Sequence, residues 1–290
     1  MRRGSDAGSR SGAIGAGTTI VITGAASGIG RLVALGAARK CAHVVIWDRD
    51  AVAARSVSDA VHEAGGRGTV VVVDLADADA IELAAAETLM LGPVDVLINN
   101  AGVVSGRPLA ELTAAQIDRT MRVNAIAPIL VTRALLPAMR DAGRGRIVTV
   151  ASAAGLIGVA GQTDYAASKF AAVGFMESLR AELRKERSPI TTLTVTPFYI
   201  DTGMFAGATT KVPALLPILS SAAVATRILA AIDSRRSMLA LPPLVRVVPA
   251  LKVLPAAIAD RLADALGVNE GMDGFTGREA VVEPPRARRD

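Results

Sequence analysis

The chain has 290 residues, of which 51% are hydrophobic and only 3% aromatic, so it can bury a full core but must build it from Ala, Val, Leu and Ile, with 27 glycines for its turns. One cysteine, Cys41, excludes an internal disulfide or a multi-cysteine metal site, and two histidines, His43 and His62, leave little material for a zinc centre. No metal is expected. Of the net charge of +5, residues 1–10 supply +2 (Arg2, Arg3 and Arg10 against Asp6) and residues 283–290 supply +1 (Arg286, Arg288 and Arg289 against Glu283 and Asp290). The body carries about half of the charge, and no basic stripe interleaved with aromatics points to nucleic acid.

Mean hydropathy is high, at +0.41. The longest uncharged run, Ser11 to Gly30, is nevertheless broken by glycines, serines and threonines, and reads as loop, strand and turn rather than as a bilayer helix. No apolar segment precedes a cleavage site near the N-terminus, so a cytoplasmic protein is expected.

Residues 1–16, rich in Gly, Ser and Arg, read as a disordered lead, and residues 283–290 as a disordered tail. Between them, short β-branched runs alternate with Ala-rich helical stretches. The runs are TTIVIT (18–23), HVVIW (43–47), TVVVV (69–73), VDVLI (94–98), RIVTV (146–150), ITTLTVT (190–196) and SMLAL (237–241). They are continuously apolar rather than alternating, as strands covered by helices on both faces are. The expectation is one α/β domain over residues 17–242, a doubly wound parallel sheet of about seven strands, with ligands beyond the carboxyl ends of the strands.

The first strand runs into TGAASGIG, with Gly24, Gly28 and Gly30, and then a helix from about Ile29 to Lys40. Glycines there let the backbone turn tightly and approach a pyrophosphate, while the helix N-terminus offers free N–H groups. At the end of the second strand stands Asp48, eighteen residues after Gly30, placed to accept hydrogen bonds from adenosine ribose hydroxyls. A carboxylate there repels a 2′-phosphate by about 4 kcal/mol at 4 Å and an effective dielectric near 20, which favours NAD over NADP. Arg49 offsets part of that repulsion. Asp74, after the third strand, is placed to meet the adenine and can at the same time cap the next helix. NNAG, Asn99 to Gly102, follows the fourth strand, and Thr113 to Arg140 reads as one long helix or a helix pair containing the polar Asn124.

The fifth strand ends in TVASAAG, which puts Ser152 at the carboxyl edge of the sheet. Thirteen residues later, in TDYAASK, Tyr165 and Lys169 lie four apart, a spacing that stacks both on one helix face and lets an ammonium stabilise an ionised phenol. A serine donor beside such a phenol can polarise a carbonyl while the phenol supplies the proton and a hydride arrives from the other side. Serine as a nucleophile is the rival, but no histidine follows Ser152 in the chain.

TGAASGIG, Asp48, NNAG, Asn124, Ser152 and YAASK together resemble the short-chain dehydrogenase/reductase family over about residues 18–242. The resemblance implies a Rossmann-type domain and a homodimer or homotetramer packed through the helix bearing Tyr165. It implies Tyr165 as general acid/base, Lys169 lowering its pKa and binding the nicotinamide ribose, Ser152 holding the substrate oxygen, and Asn124 keeping a water chain to Lys169. Implied cofactor contacts are Gly24, Ser27, Gly28, Ile29 and Gly30 at the pyrophosphate, Asp48 and Arg49 at the ribose, and Asp74 and Leu75 at the adenine. Asn100, Ala101 and Gly102 lie nearby, and Pro197, Ile200 and Thr202 match the segment along the nicotinamide.

One departure is Pro197-Phe198, where the family usually has Pro-Gly. TPFYIDTGMF, VIWDRD and the C-terminal GMDGFTGR look like the branch of retinol and 17β-hydroxysteroid dehydrogenases, which implies a hydrophobic alcohol or ketone such as a retinoid, steroid or long-chain alcohol. Residues 203–220, apolar and interrupted by proline, stand in place of that family's substrate lid. Residues 243–282 form an apolar extension, and within Leu241 to Ile258 a pocket wall or subunit contact is preferred over peripheral membrane contact. The rival readings are a 3-oxoacyl carrier-protein reductase, disfavoured by Asp48 and the apolar tail, and a non-catalytic nucleotide-binding scaffold, disfavoured by the intact Ser, Tyr and Lys.

Overall fold

The structure is a computed structural model that describes residues 14–277 apart from Arg235. The segments read as lead before residue 14 and as tail after 282 lie outside the described residues. Ile14, which the sequence reading leaves in the lead, is buried in the core, and its N–H donates to Asp233 at 2.9 Å.

The apolar runs form β1 (Thr19–Thr23), β2 (His43–Asp48), β3 (Arg67–Val72), β4 (Val96–Asn99), β5 (Arg146–Val150), β6 (Thr191–Pro197) and β7 (Met238–Leu241). They build one parallel sheet in the order β3-β2-β1-β4-β5-β6-β7. The order reverses between β1 and β4, and a crevice opens there beyond the strand ends.

Helices α1 (Gly28–Ala38), α2 (Ala51–Glu63), α3 (Ala78–Met90), α4 (Ala114–Met121), α5 (Ala127–Asp141), α6 (Thr163–Lys185) and α7 (Ser221–Asp233) cover both faces, and the short α8 (Val248–Leu251) and α9 (Ala256–Ala265) follow β7. Successive strand residues serve opposite layers. Ile20, Ile22 and Ile46 pack with Val33, Val57 and Ile228 on the side of α1, α2 and α7. Val21, Val45 and Leu97 pack with Ile81, Leu135 and Met176 on the side of α3, α5 and α6. A strand wanted by both layers has no polar face, which is why the runs are continuously apolar.

Side-chain caps fix where helices begin. Asp50 accepts from Val52 and Ala53 at the start of α2, and Asp77 from Asp79 and Ala80 at the start of α3. Each cap contributes about 1 kcal/mol. The capping role given to Asp74 is therefore corrected: the cap of α3 is Asp77, and Asp74 makes a local turn by accepting from Ala76 at 3.0 Å. The stretch read as one helix or a pair is continuous through a π-helical turn, Arg122–Ile126, that joins α4 to α5.

Trp47, the only tryptophan, is fully buried on β2, and its indole N–H donates to Thr88 of α3 at 2.9 Å. Thr88→Val keeps the shape and strands that donor. It is expected to destabilise the fold by about 1–3 kcal/mol, read as a lower urea midpoint in Trp47 fluorescence.

Candidate active site

A cleft of about 1000 Å³ lies at the carboxyl ends of the strands around the β1/β4 reversal. Its lining brings together nearly all of the residues singled out in the sequence. Gly24, Ser27, Gly28, Ile29, Asp48, Arg49, Asp74 and Leu75 form one end. Asn100, Ala101, Gly102, Ser152, Tyr165, Lys169, Pro197, Ile200 and Thr202 form the other. Gly30 and Asn124 sit just beneath the wall and shape it.

The turn after β1 shows why glycine is required. Gly24 and Gly28 have φ of +63° and +55°, a region that side chains disfavour. At Gly30 a Cβ would collide with the Gly24 carbonyl and lie 2.6 Å from Asn100 Nδ2. Asn100 closes this turn by donating to the carbonyls of Thr23 and Gly24 at 3.0 and 3.1 Å. The result is a backbone cradle at the N-terminus of α1 with no side chain filling it, which fits a pyrophosphate. Asp48 is fixed by the N–H groups of Ala26 at 2.9 Å and Asp50 at 3.1 Å, so its carboxylate is held where the cradle ends. Arg49 beside it is exposed. Cradle, carboxylate and cleft volume together fit a dinucleotide.

At the far end, α6 begins one residue after Gln162 and carries Tyr165 and Lys169 on its first two turns, both buried. Lys169 Nζ lies 5.6 Å from the Tyr165 ring centroid and donates to the carbonyl of Val150, the last residue of β5, at 3.0 Å. Burial pulls the Lys169 ammonium down to about 8. The Ser152 hydroxyl is within hydrogen-bonding reach of the Tyr165 phenol and favours its ionisation, but burial outweighs it and raises the phenol above its ordinary value, with Tyr199 adding to the rise. The expected lowering of the phenol's pKa by Lys169 is thus not what this geometry produces. The ammonium is turned toward Val150, and desolvation of a buried phenolate dominates.

Asn124 occupies the π-helical turn and is pinned on three sides. Its amide accepts from the Val103 N–H and donates to the Val103 carbonyl, both at 2.8 Å, and donates to Ser168 Oγ at 3.0 Å. Gly102 lies between: a Cβ there would be 3.4 Å from Asn124 Oδ1 and 3.5 Å from Lys169 Nζ. Asn124 is therefore more than a satisfied core amide, since it ties the loop after β4 to the helix that carries the tyrosine and lysine.

The sequence reading missed four features. Gln162 is buried and donates to the Tyr199 hydroxyl at 3.1 Å. Asp164 is buried beside Tyr165 and accepts from Ser105 at 2.9 Å and Thr120 at 2.8 Å. The loop Val103–Arg107 forms a wall of the cleft, and Phe275, Thr276 and Gly277, far along the chain, complete it. An aromatic pair straight after Pro197 and a carboxylate next to the tyrosine were visible signals for the first two. Residues 275–277 fall within the motif GMDGFTGR, but nothing local places them at the cleft.

Such a fold and site define a nicotinamide-dependent oxidoreductase of the Rossmann type, with no metal-binding group of His, Cys, Asp or Glu among the described residues. The sequence profile described as short chain dehydrogenase matches residues 18–213, and the chain belongs to that family. Epidermal retinol dehydrogenase 2 of Mus musculus is 40% identical over 268 residues, 91% of this chain and 87% of its own length. Retinol dehydrogenase 10 of Homo sapiens is 36% identical over 290 residues, 90% and 85% of the two chains. Among solved structures, a short chain dehydrogenase/reductase from Burkholderia phymatum in complex with NAD aligns at a TM-score of 0.72 with 28% identity, over 83% of this chain and 94% of the other. A metagenomic short-chain oxidoreductase in complex with NADP gives 0.68 and 33%, over 78% and 97%. The protein is an NAD(P)-dependent oxidoreductase.

The charge state of Lys169 leaves a thermodynamic trace. Its folded pKa of about 8 lies below the ordinary 10.5, so the burial cost is full below pH 8 and fades as pH rises toward 10.5. That depression corresponds to about 3 kcal/mol, offset by about 1 kcal/mol from the hydrogen bond that methionine would lose. Lys169→Met is expected to be about 2 kcal/mol more stable than the wild type at pH 7, with the gain shrinking toward pH 10, in denaturation midpoints measured across that range.

Proposed function

We propose that the chain interconverts a hydroxyl and a carbonyl on an apolar substrate, a retinoid or a comparably hydrophobic alcohol, with NAD as the preferred cofactor. The observation that carries this reading is the meeting of the Tyr165 and Ser152 hydroxyls at the end of a cleft whose remaining walls include Val104, Phe198, Met204, Phe205 and Phe275. The two hydroxyls can hold the reacting oxygen while these apolar side chains bind the rest of the molecule by burial, and Ser105, Arg107, Glu111, Gln116 and Arg119 add a polar stretch to the lining.

In this reading the Ser152 hydroxyl donates to the substrate oxygen. Tyr165 is poised to give its proton to a carbonyl and, in the reverse direction, to take one from the hydroxyl. Lys169 also reaches the ribose side of the cleft, and Asn124 fixes the loop opposite. A bound nicotinamide supplies or accepts the hydride.

The preference for NAD is supported by Asp48, pinned by two backbone N–H groups, against an exposed Arg49 whose field water screens. The retinoid assignment is supported by the relatives named retinol dehydrogenases, which match about nine-tenths of the chain. Val247, Val253 and Ile258 are about half exposed or more, which supports a second copy of the chain as the partner of the C-terminal extension. Among the described residues, no helix is long and apolar enough to cross a membrane.

Two measurements test the assignment. Tyr165→Phe is expected to lower turnover of retinol on the order of a thousandfold while a nicotinamide fluorescence titration shows nearly unchanged cofactor binding; retained turnover overturns the role of Tyr165. Asp48→Ala is expected to shift the ratio of kcat/KM for NAD over NADP by about tenfold or more toward NADP. A wild type that already prefers NADP means that Arg49 dominates.

A further inference from the structure

The segment after α9 reaches the cleft and is tied to the loop before α6 and, at several points, to the lid. The Asn269 side chain accepts from the Ala160 N–H at 3.2 Å, and Glu270 pairs with Lys211 at 3.3 Å. Gly271 accepts from the Thr209 N–H at 2.9 Å. Met272 is buried against Tyr199 and Ala208. The lid carbonyl of Ala206 accepts from Thr276 at 2.9 Å and Gly277 at 3.2 Å. Where the two segments cross, Gly207 meets Gly274 backbone to backbone, and a Cβ on Gly207, whose φ is +82°, would collide with the Gly274 carbonyl.

This crossing aims one side chain at the cleft. The Phe275 ring leaves the strap, lines the same cavity as Tyr165, and packs against Gly106 in the loop after β4. Any Cβ at Gly106, which has φ of +63°, would strike that ring. One ring therefore spans from the lid side of the cleft to the loop after β4 on the opposite wall. The ring packs against the cluster of Tyr199, Ala208 and Met272 and still stays partly exposed where it lines the cavity.

We infer that Phe275, set by the Gly207–Gly274 crossing and received by Gly106, closes the substrate end of the cleft and fixes the upper length of the apolar group that can be bound with its oxygen at Tyr165. The inference rests on the proposed oxidoreduction of a hydrophobic alcohol at Tyr165 and adds the residue that determines which such alcohols enter. Removing the ring opens the far end; enlarging it shortens the cavity.

The test is a series of straight-chain primary alcohols from octanol to hexadecanol, assayed with NAD on the full chain. Phe275→Ala is expected to raise the hexadecanol-to-octanol ratio of kcat/KM by about tenfold, and Phe275→Trp to lower it, since added or missing methylenes in an apolar pocket change discrimination on that scale. Shifts in opposite directions support the inference. Wild-type ratios in both variants, with a lowered melting temperature in Phe275→Ala, would make the ring a cement for the strap and overturn it. If the alanine variant does not fold, the tryptophan variant decides alone, and an unchanged ratio in it is again fatal. A wild type that binds NADH in a fluorescence titration but turns over no alcohol or aldehyde with either cofactor overturns the functional reading, and this inference with it, and is told apart by failing before any variant is compared.

Discussion

A buried ammonium must be given acceptors or lose its proton, and much of the site is laid out around that requirement at Lys169. The side chain is 4% exposed, and burial already brings it within reach of neutral pH. Its one acceptor among the described residues is a strand-end carbonyl, Val150, whose position is fixed by β5 lying between β4 and β6. The space beside it is kept open by Gly102, and that opening is bordered by Asn124. A side chain at residue 102 would fill the space where Asn124 and Lys169 come together. The π-helical turn follows from the same need, because it presents the Asn124 amide to both the N–H and the carbonyl of Val103 while holding Ser168, which in turn bonds the Tyr165 carbonyl at 2.7 Å.

The cofactor end is organised by exclusion of side chains in the same way, but the constraint is steric rather than electrostatic. Gly30, Asn100 and the Gly24 carbonyl crowd one another so closely that the turn has one available conformation. Asn100 also donates its backbone N–H to Thr23 Oγ1 at 3.0 Å, so β1 and β4 are locked together where the strand order reverses. The crevice is thus rigid at its base, and the parts free to vary are loops above it.

That division explains what could be read from the chain. Strands, their parallel order and the glycine turn were legible because each rests on a local pattern: β-branched runs, a glycine cluster, a carboxylate at a strand end. Tyr165 and Lys169 were legible through helical spacing. The state of the phenol was not, since it depends on desolvation by segments as distant as Tyr199, and no spacing rule reports how deeply a group is buried. The capping role of Asp77 rather than Asp74 turns on where α3 begins, a boundary that three aspartates in six residues, Asp74, Asp77 and Asp79, leave open in the sequence. Phe275 was illegible for a different reason: its place depends on two glycines, Gly106 and Gly207, that touch the strap only in three dimensions.

Tyr165 is flanked on α6 by two buried ionisable groups, Asp164 before it and Lys169 after it, at 5% and 4% exposure. Five residues separate them, which on a helix of 3.6 residues per turn points them to different sides, so they cannot neutralise each other and each must be satisfied separately. Asp164 takes two hydroxyls, Ser105 and Thr120, on one oxygen and leaves the other buried without a partner among the described residues. Its place in the first turn of the helix supplies the remainder, because the N-terminal end of α6 favours a negative charge by up to about 2 kcal/mol when partly buried. The lysine, a turn and a half further on, lies beyond the reach of that dipole end and relies on Val150. Opposite charges anchored on different sides of one helix fix its rotation about its axis, since turning it to relieve either would strip the other of its partners. The rotation of α6 decides where the phenol oxygen of Tyr165 points, so the two costly burials together hold the Tyr165 hydroxyl beside Ser152.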